Sequence, residues 1–453
     1  MGLYTSFRVG SSALAAQTAM VDTVGRNVAK ANTPGYRRES VDTVDLGSGG
    51  VGATAATRAD DPLLTGRELV ATGAKGRAET LVSALTVLEQ DLVPLGGGLP
   101  SALAGFFASM DSLAAAPLDT ALRGAALQST DAVAQAFRQG AAAITQARND
   151  SDARITALAT SATRLASEIA QLNRAITLLP APDMTLLDQR DLRAQQLVEL
   201  TGGRSVVGQD GKMRVFLTGG DLLVDGDHAY TLRTTPDAAL GNHLRIDLVD
   251  GTLVRDVTQV LSGGKLAGEV AFRDGAAVRA ATDLDQLAFD LATNVNAVHR
   301  ANAGTDGGTL RDLFVAPAVV AGAAAALAVN PNVLADQRQL ATAATTAFSG
   351  DNSGVLALLN LRDQTVAGGG TRTVLNEAIR ALGAVGSALS DAKVADDRAS
   401  GQLEILRAAR DAMSGVSADE EMQRLVALQH ASTATRRFLS AIDELLSDLI
   451  RNL

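Results

Sequence analysis

The sequence contains no cysteine and no tryptophan, and aromatic residues account for only 3% of its 453 residues. Without cysteine the chain can form no disulfide and presents no thiolate to a metal ion or a substrate. Small-molecule pockets are usually lined by aromatic side chains, so their scarcity argues against such a pocket. Alanine and glycine are abundant instead. This composition favours long helices that pack closely against one another.

Long apolar runs and blocks of positive charge are also missing. The most apolar run, at 315–329, is interrupted by Pro317 and Gly322 and is shorter than the ~20 residues that a membrane span needs. The net charge is −10, with acids and bases mixed along the chain, so we expect neither nucleic acid nor a membrane as a partner. Polar residues interrupt the segment ahead of Ala13-Leu14-Ala15, and we therefore expect no cleaved signal peptide.

The residues that usually carry catalysis or bind metals are scattered. The four histidines have none of the spacings that bind zinc, so we expect no metal site and interpret them as exposed or helix-surface residues. No nucleophile and base stand in a recognisable arrangement. We therefore predict that the protein is not an enzyme and needs no cofactor. The histidines are His228, His243, His299 and His430.

Two motifs nevertheless allow a chemical interpretation. The run Gly47-Ser48-Gly49-Gly50-Val51-Gly52 matches the G-x-G-x-x-G of dinucleotide-binding turns. Residues 53–62 show no amphipathic helix whose N-terminus could hold a pyrophosphate, so a flexible loop is favoured. Asp419, Glu420 and Glu421 form an acidic trio after Ser417. A helix start, with Ser417 as N-cap and Glu420 in a capping box, explains the trio better than catalysis does.

The two ends of the chain carry matching apolar stripes. In each stripe, apolar or small residues recur at spacings of four and three, the heptad pattern of a helix that packs on a partner helix. We expect the two stripes to pack on each other as a coiled coil. The N-terminal stripe is Leu3, Phe7, Gly10, Leu14, Gln17, Val21, Val24, Val28 and Ala31, and the C-terminal stripe is Leu425, Leu428, Ser432, Thr435, Leu439, Ile442, Leu446, Leu449 and Leu453.

The N-terminal stripe runs into a turn. Asn32, Thr33, Pro34 and Gly35 end the helix, because proline biases the preceding residue away from helical geometry and glycine tolerates positive φ. Beyond the turn, residues 37–75 lose the helical period and are predicted as extended chain and loop. The proline-free segment 119–179 predicts one or two very long helices, and further helices are predicted at about 76–93, 101–115, 186–200 and 374–413.

At Arg204 the apolar period changes from 3.6 to 2. Asp210-Gly211 and Asp250-Gly251 lie between apolar alternations, which is a strong hairpin signal. We predict a small antiparallel β domain at 204–275, inserted into the helical chain and dispensable to the fold of the rest. The predicted fold is mainly α, with this inserted β domain, terminal coiled-coil helices and a long-helix rod. The predicted domains are paired terminal helices (1–36 and 415–453), a helical rod (37–203 and 276–414) and the β domain (204–275).

Several segments resemble flagellar proteins. The run Asn27–Tyr36, N-V-A-K-A-N-T-P-G-Y, resembles the signature of flagellar rod, hook and hook-associated proteins, from which it departs only at Val28 and Lys30. Residues 414–421 and the heptads after them are similar to the C-terminus of hook-associated proteins of the FlgK type. Internal blocks at 106–107, 113–128, 187–191, 262–268 and 350–353 resemble blocks of that family and follow its order.

The resemblance implies a structural component of the hook–filament junction. Copies would form a ring-like layer that contacts the hook protein, the second junction protein and the filament. The subunit would be exported unfolded through the type III apparatus, with a chaperone on its C-terminal helix, to an extracellular place in the flagellum. A rod- or hook-class axial protein is the alternative. The expected assembly residues are Leu3, Phe7, Leu14, Val21, Val24, Asn27, Val28, Asn32, Thr33, Pro34, Gly35, Tyr36, Leu425, Leu428, Leu439, Ile442, Leu446 and Leu449.

Overall fold

Helices dominate the computed structural model, which describes residues 2–93, 97–179, 183–346 and 350–451. No helix in these ranges is both long enough and apolar enough to cross a membrane. The helices are α1 (Leu3–Lys30), α2 (Pro62–Leu92), α3 (Leu99–Ala115), α4 (Thr120–Thr177), α5 (Met184–Thr201), α6 (Gly264–Ala271), α7 (Ala277–Arg300), α8 (Ala323–Ala326), α9 (Pro331–Ala335), α10 (Ser353–Asn360), α11 (Val374–Ser414) and α12 (Ala418–Arg451).

The strands form small antiparallel sheets. One sheet has four strands in the order β5-β6-β7-β8, and another has three in the order β11-β10-β9. The remaining strands form the two-stranded sheets β1-β4, β2-β3 and β12-β13. The predicted fold class, mainly α with small antiparallel sheets, is confirmed. The strands are β1 (Glu39–Ser40), β2 (Thr43–Asp45), β3 (Val51–Ala53), β4 (Thr57–Arg58), β5 (Arg204–Val207), β6 (Met213–Phe216), β7 (Leu222–Asp225), β8 (His228–Ala229), β9 (Thr231–Pro236), β10 (Leu244–Asp250), β11 (Leu253–Asp256), β12 (Ala303–Gly304) and β13 (Ala341–Ala343).

Helix α4 is the longest element, a single helix of 58 residues. The side chain of Asp119 caps its first turn by accepting from the N–H groups of Ala121 and Leu122. The first half of α4 contributes Phe137 to a core shared with α2, α3, α7 and α11, and the second half contributes Ile155 to a core shared with the strands. The helix therefore joins two hydrophobic cores, because no proline interrupts it between them.

Buried polar groups lie between the two cores. Ser151 and Arg154 of α4 both bind the carboxylate of Glu269 on α6, at 2.7 and 2.6 Å. Arg273, in a π-helical turn at Phe272–Ala276, is fully buried and binds Asp152 of α4 at 2.6 Å. Buried charged groups that are all hydrogen-bonded tolerate one alignment of their elements. This layer therefore sets how α6 and α7 cross α4.

The β segment is not independent of the helices, so the expectation that it is dispensable is wrong. The fully buried strand residues Val215 and Ile246 belong to the same core as Ile155 of α4 and Leu197 of α5. The last strand of this segment ends at Asp256. Residues 264–271, which were predicted to belong to the β domain, form helix α6. Hairpin signals report local turns and do not reveal which surface covers the faces of the strands. Removing the strands would expose the second half of α4.

Helix α2 begins well before the predicted residue 76. Asp61 caps it through the N–H groups of Leu63 and Leu64, and Pro62 occupies its first turn. Its early part is buried through small residues, which leave no apolar period in the sequence. A Cβ added at Gly76 would lie 2.6 Å from the carbonyl oxygen of Glu199, so glycine is what lets α2 and α5 approach. The prediction of extended chain over the whole of 37–75 is therefore wrong from Pro62 onward.

One histidine is buried, contrary to the expectation that all four are exposed or on helix surfaces. His299 is 1% exposed at the end of α7. Its Nε2 accepts from the N–H of Ala341 at 3.0 Å, and its Nδ1 lies 2.7 Å from the carbonyl oxygen of Arg311, so the ring is neutral with its proton on Nδ1. Burial lowers the pKa of His299 below its ordinary value. The imidazole here ties α7 to β13 instead of binding a metal.

We expect acid to destabilise the fold through His299. Its pKa is lower in the folded than in the unfolded chain, so the stabilisation is complete above the unfolded pKa near 6.5 and is lost as pH falls below it. The slope from this one group is at most about 1.4 kcal/mol per pH unit. Melting temperatures measured between pH 7.5 and 5 should fall less in His299→Gln than in the wild type. His430→Gln, on the exposed side of α12, should follow the wild type, and an unchanged slope in His299→Gln would contradict the assignment.

Candidate assembly site at the joined chain ends

The first and last helices pack side by side in an antiparallel pair. The Nε2 of Gln17 donates to Thr435 Oγ1 at 3.1 Å, and Asn27 donates to Glu421 at 3.1 Å. Gly10 lies against Leu439, since a Cβ there would come within 2.7 Å of the leucine side chain. In these three contacts the residue numbers rise along α1 and fall along α12, so the two helices are antiparallel and their register is fixed. The structure therefore pairs the terminal helices as the coiled-coil pattern predicts.

The residues of the two stripes differ in how deeply they are buried. Val24 and Ile442 are buried, whereas Phe7 and Leu449 are exposed. Leu449 lies near the end of α12, opposite the first residues of α1 in the observed register. Leu453 lies outside the described residues. The remaining predicted apolar members are half-buried: Leu3, Leu14, Val21, Val28, Leu425, Leu428, Leu439 and Leu446.

The terminal pair has almost no core of its own. Among the described residues, neither hydrophobic core includes a residue of α1 or α12. Large apolar side chains instead remain between 40% and 73% exposed on the two helices and their surroundings. The paired helices therefore leave large apolar side chains exposed that another surface could cover. These side chains are Tyr4, Phe7, Met422, Val426, Phe438, Leu445, Leu449 and Ile450.

The predicted turn ends α1 and directs the chain back along it. Asn32, Thr33 and Pro34 are exposed at its tip, and Gly35 has φ 80°, the left-handed conformation that favours glycine. A Cβ at Gly35 would lie 3.3 Å from the Cβ of Leu192, so the turn also rests closely on α5. Glycine is thus required here for both backbone conformation and packing.

Five residues form a polar cluster where the turn meets the start of α12. We call Asn27, Tyr36, Arg38, Glu39 and Glu421 the junction cluster. Asn27 is 1% exposed and uses its whole amide: Oδ1 accepts from the Tyr36 hydroxyl (2.7 Å) and the Glu39 N–H (3.0 Å), and Nδ2 donates to the Glu39 carbonyl and to Glu421. Arg38 binds the other oxygen of Glu421 at 2.8 Å. The cluster fastens α1, the turn and α12 together.

Burial shapes the hydrogen bonding of the junction cluster. Glu421 has no exposed surface, and Arg38 and Asn27 supply the donors that a buried carboxylate needs. Burial, followed by the nearby carboxylates of Glu39 and Asp188, raises the pKa of the Tyr36 hydroxyl well above its ordinary value. Tyr36 therefore stays protonated and remains a donor to Asn27. Arg26 binds the carboxylate of Glu39 at 3.0 Å, so the cluster offers no free base or nucleophile.

Sequence reasoning missed the role of Glu421, although the sequence contains a signal for it. Ser417 does cap α12, since its Oγ accepts from the N–H of Glu420 at 3.4 Å, as predicted. However, extending the heptad spacing back from Leu428 and Leu425 reaches Glu421, so this acid occupies a position of the packed seam. A charged residue at a seam position indicates a specific buried partner, which here is the pair Asn27 and Arg38.

A second ionic group holds the turn to the body of the subunit. Arg58 binds Asp188 at 2.7 Å and Asp191 at 2.9 Å, both on α5, and Arg37 pairs with Asp60 and with Asp191. Because each arginine bridges two carboxylates, these ion pairs fix orientation as well as distance. A cleft of 960 Å³ opens beside this group, between the turn, α5, β5 and the link from α11 to α12. The turn, these ion pairs and the link from α11 to α12 thus connect the terminal pair to the body.

The glycine-rich run forms a hairpin turn and not a dinucleotide-binding loop. Residues Gly47–Gly49 form a short 3₁₀ turn between β2 and β3, so a strand and not a helix follows the run directly. The hairpin packs on α1, where the N–H of Val51 donates to Ser12 Oγ at 3.2 Å. Gly50 has φ 93° and passes so close to Ser12 that a Cβ would overlap its hydroxyl. The favoured interpretation of this run as a loop is correct, and the loop supports the outer side of α1.

Family models match two parts of the chain. A model of the flagellar hook-associated protein FlgK helical domain matches residues 85–314, about half of the chain. A model of flagella basal body rod proteins matches residues 7–37, which contain α1 and the signature turn. The rod-protein match is thus confined to the segment that the sequence shares with several flagellar classes. The match inside the body is specific to hook-associated proteins.

Whole-chain similarity agrees with the longer match. Flagellar hook-associated protein 1 of Bacillus subtilis strain 168 is 24% identical over 501 residues, spanning 100% of this chain and 98% of that protein. The protein of the same name from Escherichia coli strain K12 is 25% identical over 319 residues, 67% of this chain and 58% of the relative. The structure of the flagellar hook junction protein FlgK from Burkholderia pseudomallei covers 78% of this chain and 100% of its own, with a TM-score of 0.69 at 16% identity. At that identity the structural likeness shows the fold.

Proposed function

This chain belongs to the FlgK family of flagellar hook-associated proteins, and on that premise we propose that its paired ends are the element that assembles copies into the hook–filament junction. The chain is a structural component of the bacterial flagellum. The observation that carries the proposal is the terminal pair, which is joined by the junction cluster but leaves large apolar side chains exposed. Neighbouring copies would cover those side chains.

The same argument assigns roles to the parts of the chain. We propose that residues 1–36 and 415–453 form the assembly domain, that 37–203 and 257–414 form the rod, and that the strands at 204–256 face outward. The stripes of α1 and α12, together with Asn32–Tyr36, would then be the residues that contact other subunits. None of them has the arrangement of a catalytic group, so the role we propose is structural and not enzymatic.

The partners follow from the position of a junction layer. We propose a ring-like layer of copies between the hook protein on one side and the second junction protein and filament on the other. An extracellular layer must be exported, and we propose the type III route without a cleaved signal peptide, with a chaperone covering α12 beforehand. The exposed apolar side chains of α12 support this, because they need a cover until copies meet.

Location in purified flagella tests the proposed function. Antibody against this chain, applied to isolated flagella, should label a single band between hook and filament. A rod- or hook-class protein, the alternative, would label the basal rod or the whole hook. Label spread along the hook, or absent from flagella, would rule out the junction role.

We expect the terminal pair to be mobile in the free subunit. Most of the stability of a helix in a protein comes from tertiary packing, and this pair contributes nothing to either hydrophobic core of the described chain. Residues 2–30 and 418–451 should therefore exchange their amide hydrogens quickly in a dilute monomer, while α4 and α7 stay protected. Hydrogen exchange followed by mass spectrometry measures this. Strong protection of both ends in a verified monomer would show that the pair is stable alone.

A further inference from the structure

Helices α2 and α11 pack on each other in the body of the subunit, and each also keeps one face exposed. Val70 of α2 is 62% exposed, and Val394 and Ile405 of α11 are 43% and 72% exposed. These side chains belong to neither hydrophobic core of the described chain. Covering them with another surface would remove apolar area from water, which stabilises an association.

The exposed residues of the two helices follow the same spacing. On each helix four residues recur at intervals of four, three and four, which keeps them on one side. An apolar side chain stands at each end of both sets, with small or charged residues between. All are exposed except Leu81 and Gly401, which are half-buried. We call Val70, Ala74, Arg77 and Leu81 the α2 face, and Val394, Arg398, Gly401 and Ile405 the α11 face.

The two faces point away from each other within one subunit. Glu68 of α2 pairs with Arg407 of α11 at 3.7 Å, so these two residues mark the sides on which the helices meet. Val70 lies two residues after Glu68, and Ile405 lies two residues before Arg407, each about 200° around its helix from that contact. Because α2 and α11 are antiparallel, Val70 and Ile405 also share a height. The faces can therefore meet only between copies, head to tail.

A second contact gives the same relative height at the other end of the faces. Glu89 of α2 lies beside Gly386 of α11, where a Cβ would be 3.0 Å from the carboxylate oxygen of Glu89. Leu81 is eight residues before Glu89, and Val394 is eight residues after Gly386, so these two apolar residues share a height as well. The α2 face and the α11 face are thus level along their whole length.

This level arrangement lets the faces of neighbouring copies match. In a layer whose copies are related by rotation about an axis along these helices, every residue keeps its height in the next copy. The α2 face of one copy then lies antiparallel to the α11 face of the next, with apolar residues opposite each other at both ends. Small residues between them let the helices approach closely. The opposed pairs are Val70 with Ile405, Ala74 with Gly401, and Leu81 with Val394.

Charges along the two faces are complementary and unused. The α2 face carries Arg77 and no acid, whereas Asp397 and Glu404 border the α11 face. In the ranges that the structure describes, none of these three residues takes part in an ion pair. On helical wheels of the two antiparallel faces, Arg77 and Asp397 fall on one flank of the contact, and Arg398 falls on the other. An unpaired arginine thus lies opposite an unpaired acid of the next copy, which orients the approach.

We propose that the α2 face of one copy packs on the α11 face of the next copy. The proposal rests on the proposed function, because the ring-like layer supplies the rotation that keeps the two faces level. It adds to that function a lateral contact in the body of the subunit, separate from the terminal helices. Val70 and Leu81 pack on Ile405 and Val394, and Arg77 pairs with Asp397.

Cross-linking tests this contact directly, because the chain has no cysteine of its own. Val70→Cys and Ile405→Cys variants are co-expressed, flagella are isolated and oxidised, and disulfide-linked dimer is measured. The matched control replaces Ile405→Cys by Val394→Cys, which lies on the same face but roughly 16 Å away along α11. The control should give at least about tenfold less dimer, because a disulfide needs Cα atoms about 4.4–6.8 Å apart. Leu81→Cys with Val394→Cys should restore the dimer.

The outcomes separate this contact from the junction role. Dimer from the 70–405 pair above the 70–394 control supports the contact. Chain located at the junction with equal yields from the two pairs overturns the contact and leaves the proposed function standing. If the chain is absent from flagella, the junction role fails, and the same purified full-length variants are oxidised at high concentration: more dimer from the 70–405 pair supports the contact, and equal yields overturn it.

Charge reversal provides a second test at exposed positions, where the free subunit should melt as the wild type does. Arg77→Glu and Asp397→Arg each place like charges opposite each other between copies. Introduced into the chains that carry the 70–405 cysteines, each should lower the yield of dimer about fivefold, the ratio that a charge pair of about 1 kcal/mol gives. Chains that carry both changes regain opposite charges and should regain the yield. Unchanged yields in the single variants, or no recovery in the combined one, would overturn the proposal.

Discussion

Replacing Ile442 by aspartate is expected to abolish incorporation of the subunit into flagella. Ile442 is 4% exposed and is the most buried apolar residue of the C-terminal stripe, more so than the half-buried Leu446. An unpaired carboxylate at that position costs more than the ~1.5–3 kcal/mol that burial of one isoleucine contributes. Cells that carry Ile442→Asp should release unassembled filament protein and should not swim. Motility assays and immunoblots of the culture medium measure both effects.

The body of the subunit should be unaffected by this change. Neither hydrophobic core of the described chain contains a residue of α12, so purified Ile442→Asp should melt as the wild type does. The matched control is Ser440→Asp, which places the same charge two residues away on the exposed side of α12. Ser440→Asp cells should swim. Normal swimming of Ile442→Asp cells would show that the seam is not the element that assembles copies.

Replacing Glu421 by alanine is expected to weaken assembly nearly as much, for an electrostatic reason. The change leaves Asn27 buried without one of its acceptors and Arg38 without its closer ion partner. Breaking a buried ion pair from one side costs about 3 kcal/mol, which corresponds to a reduction of roughly 100-fold in the joined form. Competition between tagged Glu421→Ala and wild-type subunits for incorporation into flagella measures this ratio.

The neighbouring acid provides the control for this experiment. Glu420 is mostly exposed and lies 3.7 Å from Arg38, a distance and setting in which an ion pair contributes less than about 1 kcal/mol. Glu420→Ala should therefore compete almost as well as the wild type. Equal competition by Glu421→Ala and Glu420→Ala would mean that the junction cluster does not hold the two ends together in the assembled state.

Much of the fold follows from patterns of near neighbours in the sequence. The 58 residues of α4 form one helix because no proline interrupts them, and heptad spacing at both ends predicts the pairing of α1 and α12. Asp-Gly pairs between apolar alternations predict hairpins where the strands of the β segment turn, as at Asp250-Gly251 between β10 and β11. Each of these signals depends on contacts within a few residues, and such contacts can be predicted from the local sequence.

The tertiary structure decided where distant segments meet. The start of α2 is concealed because glycines pack it on α5, so no apolar period marks it. The strands bury their faces on α4 and α5, which no hairpin signal specifies. Glu421 is a cap residue by local rules and a buried partner of Asn27 by contact across 394 positions. Local periodicity determines which face of an element is apolar, whereas the partner of that face is selected by the packing of the whole chain.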